Sequence, residues 1–139
     1  LSPVRETFDS LKVFINPPLH FMKIDSVLTG FIHLGANASL ILAETEPMVF
    51  AMAPYYTIES FATNSETLIS KDTLYMNSGY FGYQFVLQFM VQDVLVERIM
   101  LIFSNDHTTI VAAANYPAKV HDVLYHVFIE SFKTISVEK

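Results

Sequence analysis

The sequence predicts an α+β fold in which a curved, mostly antiparallel β-sheet of six to seven strands is packed by a kinked helix and by a C-terminal helix. Three observations predict it. Apolar residues alternate with period two over most of residues 67–115, between short turn sequences. A Met- and Phe-rich segment with Pro54 inside it precedes these strands. Apolar residues then recur at helical spacing after Pro117.

The first 18 residues are expected to be a lead-in to a single α+β domain that covers residues 19–139. Phe8, Leu11 and Phe14 have roughly helical spacing, which predicts a short amphipathic turn. The proline pair that ends this segment cannot continue a helix, so an extended chain is expected after it.

Three short strands are expected next. Residues 19–24 and 27–34 are interpreted as strands joined by an Asp-Ser turn, with Gly30 as a bulge in the second strand. Residues 40–43 form a continuous apolar run, which is typical of a strand that is buried on both faces.

A helical segment is predicted after the third strand. Thr45 is expected to be its N-cap, and Pro47 suits its first turn. The segment runs to about Ala62 and contains Pro54, so the sequence predicts two short helices or one kinked helix.

The remaining strands form a predicted antiparallel meander, because residues 67–76, 83–92, 94–103 and 108–115 are separated only by short turns. In the second of these strands the odd-numbered residues are expected to face a core. The even-numbered row mixes amides with apolar side chains and is expected to be half exposed. The final helix is expected to start at Pro117.

The composition is rich in apolar residues and poor in charge. Apolar residues make up 52% of the chain and charged residues 16%, whereas about 25% of a typical soluble domain is charged. The 12 Phe and 7 Tyr therefore either fill a dense core or leave apolar surface for a ligand, a subunit or a partner.

Charge and composition also exclude classes of function. A net charge of −6 without a basic patch argues against binding to nucleic acid or to an anionic lipid surface. The absence of Cys excludes disulfides, thiolate metal sites and Cys nucleophiles. No apolar run approaches the ~18 residues of a membrane-spanning helix. The expected partner is a protein or a small apolar ligand, and a homo-oligomer stays open.

The chain opens on Leu1-Ser2-Pro3 rather than on Met. Removal of a secretion signal or lipid-anchor leader would explain this start, and so would truncation. We expect an exported bacterial protein that is periplasmic or associated with the envelope, with the cytoplasm as the alternative.

Three short segments precede the first helix, the second strand of the meander and the last helix. They are Glu44-Thr45-Glu46-Pro47, Gly79-Tyr80-Phe81-Gly82 and Asn115-Tyr116-Pro117. In this order of elements the chain resembles the Mog1/PsbP-like superfold, which includes bacterial DcrB-like envelope proteins, over nearly its whole length from about Pro17. The resemblance implies a curved antiparallel sheet between helices and a role as an adaptor, assembly factor or accessory protein. It implies no site residues, because no site motif is shared.

A Bet v 1-like ligand-binding fold is the competing architecture. It also ends in a long helix on a curved sheet. It places a helix pair directly after its first strand, however, and the sequence does not show such a pair.

Five aromatic residues are candidates for a ligand-binding or partner-binding surface. They are Tyr55, Tyr56, Tyr80, Phe81 and Tyr83. The first two follow the predicted helix break, and the other three lie where the second strand of the meander begins. Exposed aromatic side chains are typical anchors of binding surfaces.

No catalytic residue, cofactor site or metal site is predicted. His121 and His126 are five residues apart, which places them about 140° apart around a helix. Ser104, Asp106 and His107 lie in a predicted turn, and the chain contains no G-x-S-x-G motif.

We therefore expect a non-enzymatic binding or accessory module that acts through an apolar or aromatic surface. The alternative is a carrier of a small apolar ligand, with a cavity between the sheet and a helix. Tyr83, Phe85, Phe89 and Phe103 would be among the walls of that cavity.

Overall fold

The computed structural model describes residues 1–138, which form ten strands and three α-helices. The strands are β1 (Glu6–Phe8), β2 (Val13–Ile15), β3 (Met22–Asp25), β4 (Thr29–His33), β5 (Ala38–Thr45), β6 (Thr67–Tyr75), β7 (Phe81–Val91), β8 (Val94–Ser104), β9 (Thr109–Pro117) and β10 (Ser136–Val137). The helices are α1 (Pro47–Met52), α2 (Ile58–Ala62) and α3 (His121–Lys133). None of them is long and apolar enough to cross a membrane.

Seven of these strands form one sheet in the order β3-β4-β5-β9-β8-β7-β6. Every neighbouring pair in it is antiparallel. This confirms the predicted α+β class and its antiparallel sheet of six to seven strands. The predicted meander is confirmed as β6 to β9, and β5 pairs with β9 at its far side.

The two faces of this sheet are covered by different elements. The face that we call the α3 face packs on α3 and on a small sheet of order β1-β2-β10. Its core combines Leu101 and Ala112 from the large sheet with Phe128 and Phe132 from α3. The opposite face, the α1–α2 face, is covered by the two short helices, where Phe61 packs with Phe85, Leu87 and Ile102 among others.

The predicted alternation of buried and half-exposed side chains along β7 is correct for only one of its two rows. Phe85 and Leu87 are buried on the α1–α2 face, as expected for the odd-numbered row. Gln84 and Val86 in the even-numbered row are buried as well, rather than half exposed. The α3 face is covered too, and the Gln84 amide donates a hydrogen bond to the Tyr125 hydroxyl of α3 (3.3 Å).

The helices follow the prediction closely. α1 and α2 are separated by a 3-10 turn at Ala53–Tyr55, so Pro54 breaks the segment as expected. Lys71 of β6 donates to the carbonyl groups of Pro54 (2.5 Å) and Tyr56 (3.0 Å) at this break. A 3-10 turn at Ala118–Val120 precedes α3, which confirms a C-terminal helical segment directly after Pro117.

The N-terminal segment does not form the predicted amphipathic turn. Residues 6–15 form the β1–β2 hairpin, and β2 also pairs with β10. Phe8, Val13 and Ile15 are fully buried in the same core as α3. The spacing of Phe8 and Leu11 looked helical because the hairpin turn between the strands contains Leu11 and brings its side chain to the same side as Phe8.

Three local expectations are also corrected. Gly30 is paired regularly with Ile41 and is not a bulge. The run at residues 40–43 alternates instead of being buried throughout, since Ala43 is exposed. The N-cap of α1 is Glu46 rather than Thr45, because Thr45 is still the last residue of β5.

Candidate functional site

Three of the five predicted site residues lie together near the start of β7. The Phe81 ring centroid is 5.7 Å from that of Tyr83. Phe50 of α1 contacts both rings, at 5.7 Å from Phe81 and 5.4 Å from Tyr83. Tyr75 of β6 extends the group, at 6.2 Å from Phe81. We call Phe50, Tyr75, Phe81 and Tyr83 the aromatic surface.

Strand register and a helix anchor build this surface. Tyr75 is paired with Phe81 across β6 and β7, and Phe81 and Tyr83 point to the same face because side chains alternate along a strand. Thr109 of β9 fixes α1 above them. Its hydroxyl accepts from the Phe50 N–H (3.2 Å) and donates to the Pro47 carbonyl (3.1 Å). Tyr75 is 71% exposed and Phe81 39%, so the surface faces solvent.

Tyr80 gives this surface a polar border. Its hydroxyl donates a hydrogen bond to the Asp106 carboxylate in the β8–β9 turn. That hydrogen bond raises the pKa of the Tyr80 hydroxyl above its usual value. The two residues, with Phe50, Phe81 and Ser104, line an open depression of about 480 Å³. An apolar group and a hydrogen-bond donor of a partner could therefore be held side by side here.

Tyr55 and Tyr56 lie apart from this group. The Tyr56 ring packs on Phe61 and Phe85 at 6.0 and 5.9 Å and so contributes to the core of the α1–α2 face. Tyr55 is 75% exposed on the turn between α1 and α2. The structure thus brings Phe81 and Tyr83 together and places Tyr80 beside Phe81, with the Tyr80 ring packed against the core of the α3 face. Tyr55 and Tyr56 are separate from these three. Whether any of the five contacts a ligand stays a prediction.

The proposed walls of an apolar cavity do not share one space. Phe103 is buried in the core of the α3 face, whereas Phe85 and Tyr83 lie on the α1–α2 face. On that face, Phe61 fills the volume above Phe85, with ring centroids 5.3 Å apart. Phe89 lies farther along β7, where it stacks under Arg98.

A buried polar cluster on the α3 face was not predicted from the sequence. Glu97 of β8 is only 3% exposed. Its carboxylate accepts from the Tyr116 hydroxyl and from the Gln88 amide (3.2 Å), and it lies 2.5 Å from His121 Nδ1. The cluster ties the first residue of α3 to the sheet. The sequence does carry one sign of this cluster. Glu97 is two residues from Ile99 in the same strand, so both side chains point to the same, inward face of β8.

Tyr116 is the proton donor of this cluster. Burial, and then the hydrogen bond to Glu97, raise the pKa of the Tyr116 hydroxyl far above its usual value. The phenol therefore stays protonated and keeps donating to the carboxylate at neutral pH. This arrangement satisfies a buried charge, which is costly to leave unpaired.

The remaining polar candidates have structural partners. Ser104 Oγ accepts from the Asp106 N–H (3.1 Å), and Asn105 accepts from the His107 N–H (2.9 Å), so these residues build the β8–β9 turn. His121 stacks on Tyr125 at 4.7 Å. Within residues 1–138, no three His, Asp or Glu side chains are grouped to hold a metal ion.

Comparisons with known proteins place the fold. No protein-family model matches the chain, and no curated protein matches it. The structure is similar to the solution structure of cyanobacterial PsbP (CyanoP) from Synechocystis sp. PCC 6803, with a TM-score of 0.68 and 15% sequence identity. The match covers 96% of this chain and 91% of that chain. Of the two architectures considered from the sequence, this likeness supports the Mog1/PsbP-like one, and the chain has a PsbP-like fold.

Proposed function

We propose that this protein is a non-enzymatic accessory module that binds a protein partner through the aromatic surface, in the periplasm or at the envelope of a bacterium. The observation that carries the proposal is a group of four contacting aromatic rings at the surface. Tyr75 and Phe81 are exposed to solvent, whereas Phe50 and Tyr83 are partly buried against the core of the α1–α2 face and support them.

The surface has the properties of an interface centre. Its rings are held in place by contacts to each other and by the Thr109 anchor, so little side-chain freedom is lost on binding. Tyr side chains are frequent hot spots, where truncation costs about 2 kcal/mol or more of binding energy. Asp106 adds a negative charge at the border, which favours a partner with an apolar protrusion beside a basic residue.

Binding is favoured over catalysis at this place. Tyr80 and Asp106, at the border of the aromatic surface, are hydrogen-bonded to each other. A carrier of a small apolar ligand is the alternative function. The packing of Phe61 and Tyr56 on Phe85 leaves the middle of the α1–α2 face filled, so we favour a protein partner.

Site-directed photo-crosslinking in the source organism tests the proposal. A photoreactive phenylalanine analogue replaces Tyr75 in one strain and Val123 in a control strain, since Val123 is similarly exposed, at 69%, on α3. We expect one dominant adduct at position 75 that is absent at position 123. The partner identified in that adduct should then bind the purified protein at least tenfold more weakly when Tyr75→Ser and Phe81→Ser are combined.

Two outcomes would contradict the proposal. Equal adducts at both positions, or undiminished binding by the double variant, would show that the aromatic surface is not the interface. An adduct between two copies of this chain would make the partner a second copy, which sedimentation of the purified protein would detect as a dimer. Fractionation of the same cells with an antibody against the protein tests the proposed location.

A further inference from the structure

Arg98 lies on the α1–α2 face, far from the aromatic surface. It is next to Phe89, which is eight residues from Phe81 along β7, a separation of about 26 Å in an extended strand. Three open depressions of about 440, 510 and 360 Å³ have Arg98 in their walls. We call these adjoining depressions the Arg98 groove.

The Arg98 guanidinium is held in a fixed position. Its Nε donates to Asn115 Oδ1 (2.6 Å), and its Nη1 donates to Glu66 Oε2 (3.0 Å). The group lies over the Phe89 ring, with Cζ 4.6 Å from the ring centroid. Nη2 makes no hydrogen bond within residues 1–138. The side chain is 31% exposed, and it lines all three depressions.

The wall of the 440 Å³ depression, which also includes Asn115, is mostly apolar. Phe89, Val91, Val94, Val96 and Pro117 line it beside Arg98. Val91 and Val94 are about half exposed, at 47% and 48%, because they lie in the part of the β7–β8 hairpin beyond its pairing with β6 and β9. An apolar chain placed there would cover exposed methyl groups and end at the guanidinium.

The charges that line the groove indicate which charged group a ligand would carry. Among the described residues that line the three depressions, Arg98 is the only Lys or Arg, and Glu66 already pairs with it. One partly neutralised guanidinium suits a group with a single negative charge rather than a phosphate dianion. A carboxylate is such a group, and its planar shape matches the guanidinium fork.

We propose that the Arg98 groove binds an amphipathic carboxylate, with an unbranched apolar chain against Val94 and Val96 and the carboxylate on Nη2 of Arg98. Glu66 is then a competitor of the ligand, because both carboxylates bind the same guanidinium. This site goes beyond the proposed function, since it shares no residue with the aromatic surface.

Calorimetric titration of the full chain with decanoate, below its micelle threshold, tests the site. We expect saturable binding that 1-decanol, which lacks the charge, does not reproduce. Arg98→Gln should weaken decanoate binding tenfold or more. Glu66→Gln should strengthen it at least threefold, because it removes the competitor. Lys133→Gln removes one positive charge on α3, at a distance from the groove, and should change the affinity less than twofold.

A further variant keeps the test valid if Arg98→Gln fails to fold. Val94→Glu places a negative charge on the exposed wall of the groove and should abolish decanoate binding while the fold is retained. The proposal is overturned if decanoate does not bind, if decanol binds equally well, or if Glu66→Gln and Val94→Glu leave the affinity unchanged. None of these variants alters the aromatic surface, so the partner-binding test is independent.

Discussion

Gly30 lies opposite Ile41 at a point where β5 leaves no room for a side chain on β4. A Cβ at this position would collide with the carbonyl oxygen of Leu40 and lie 2.9 Å from the Cα of Ile41. Both atoms belong to the backbone, so the collision can be relieved only by moving a strand. Gly30, which the sequence predicted to be a bulge, is instead required by close strand packing.

Gly30→Ala should therefore lower the free energy of unfolding by about 2–3 kcal/mol, as other overpacked sites do. Urea denaturation of the purified protein measures the loss. Gly35→Ala is the matched control, because Gly35 is exposed and the nearest atom to a Cβ added there would be a side-chain atom of His33 at 3.3 Å rather than backbone. We expect a change of about 0.5 kcal/mol or less there, and equal losses in both variants would contradict the explanation.

Tyr116 makes the free energy of unfolding depend on pH in the alkaline range. Burial and the hydrogen bond to Glu97 hold its pKa in the folded protein above the unfolded value, which is about 10. The folded state therefore retains the phenol proton after the unfolded state has lost it. The stabilisation is complete below about pH 10 and decreases above it, by up to about 1.4 kcal/mol per pH unit.

Tyr116→Phe should remove this dependence. The variant loses a buried hydrogen bond, so we expect its unfolding free energy at pH 8 to be lower by about 1–3 kcal/mol. Between pH 10 and pH 11 the gap between the variant and the parent protein should narrow, and urea titrations at these pH values measure it. A gap that stays constant with pH would show that Tyr116 is not the titrating group.

The residues of the candidate site were only partly predictable. Tyr80, Phe81 and Tyr83 are close in sequence, so local spacing was enough to group them. Phe50 and Tyr75 come from α1 and β6, and their contact with Phe81 depends on helix placement and strand register. Glu97 was missed for the same reason, because its partners lie on β9 and α3.

The β7–β8 hairpin is an element with an unfavourable turn. Its connection is the two-residue loop Gln92-Asp93, and both residues have positive φ, at 47° and 66°. Two positive φ values define the turn type that favours Asn-Gly, since other side chains are strained there. Pairing between β7 and β8 offsets the strain of this turn, because the ladder continues to the last pair, Val91 and Val94.

Gln92→Asn with Asp93→Gly should accordingly stabilise the protein by about 0.5–1 kcal/mol, because the left-handed conformation becomes unstrained. Thermal unfolding should show a rise of about 2–5 °C in Tm. Asp72→Gly in the middle of β6 serves as the control, and we expect it to lower the Tm. A double variant that unfolds at or below the parent temperature would disprove the turn assignment.

Prediction at the scale of elements worked where the signal was local. Pro54 ends α1 and short turns separate β6 to β9, and each of these signals lies inside a few residues. The N-terminal hairpin was missed because β2 is stabilised by β10, which lies at the other end of the chain. A strand that depends on such a distant partner carries no local periodicity that identifies it.

At the scale of the whole molecule, the two chain ends close one core. β1, β2 and β10 form their own sheet. Its residues Phe8, Val13 and Ile15, together with Leu11 from the β1–β2 turn, pack in the cluster that contains Phe128 and Phe132. The Ser131 hydroxyl of α3 also donates to the Asn16 carbonyl (2.7 Å). The division of the chain at residue 18 stays a prediction, and this packing allows it to be tested.

Removal of residues 1–18 should abolish cooperative folding. Burial of a large apolar side chain contributes about 1.5–3 kcal/mol. The free energy contributed by burying the four side chains of the hairpin is therefore comparable to the total stability of a typical domain, which is about 5–15 kcal/mol. Circular dichroism and urea denaturation of the shortened chain measure the effect. Removal of residues 1–4, which precede β1 and are largely exposed, is the control and should leave the unfolding transition nearly unchanged. If residues 19–139 unfold in one sharp transition at the parent's urea midpoint, the first 18 residues are a lead-in to an independent domain, and the shared core contributes less than its burial indicates.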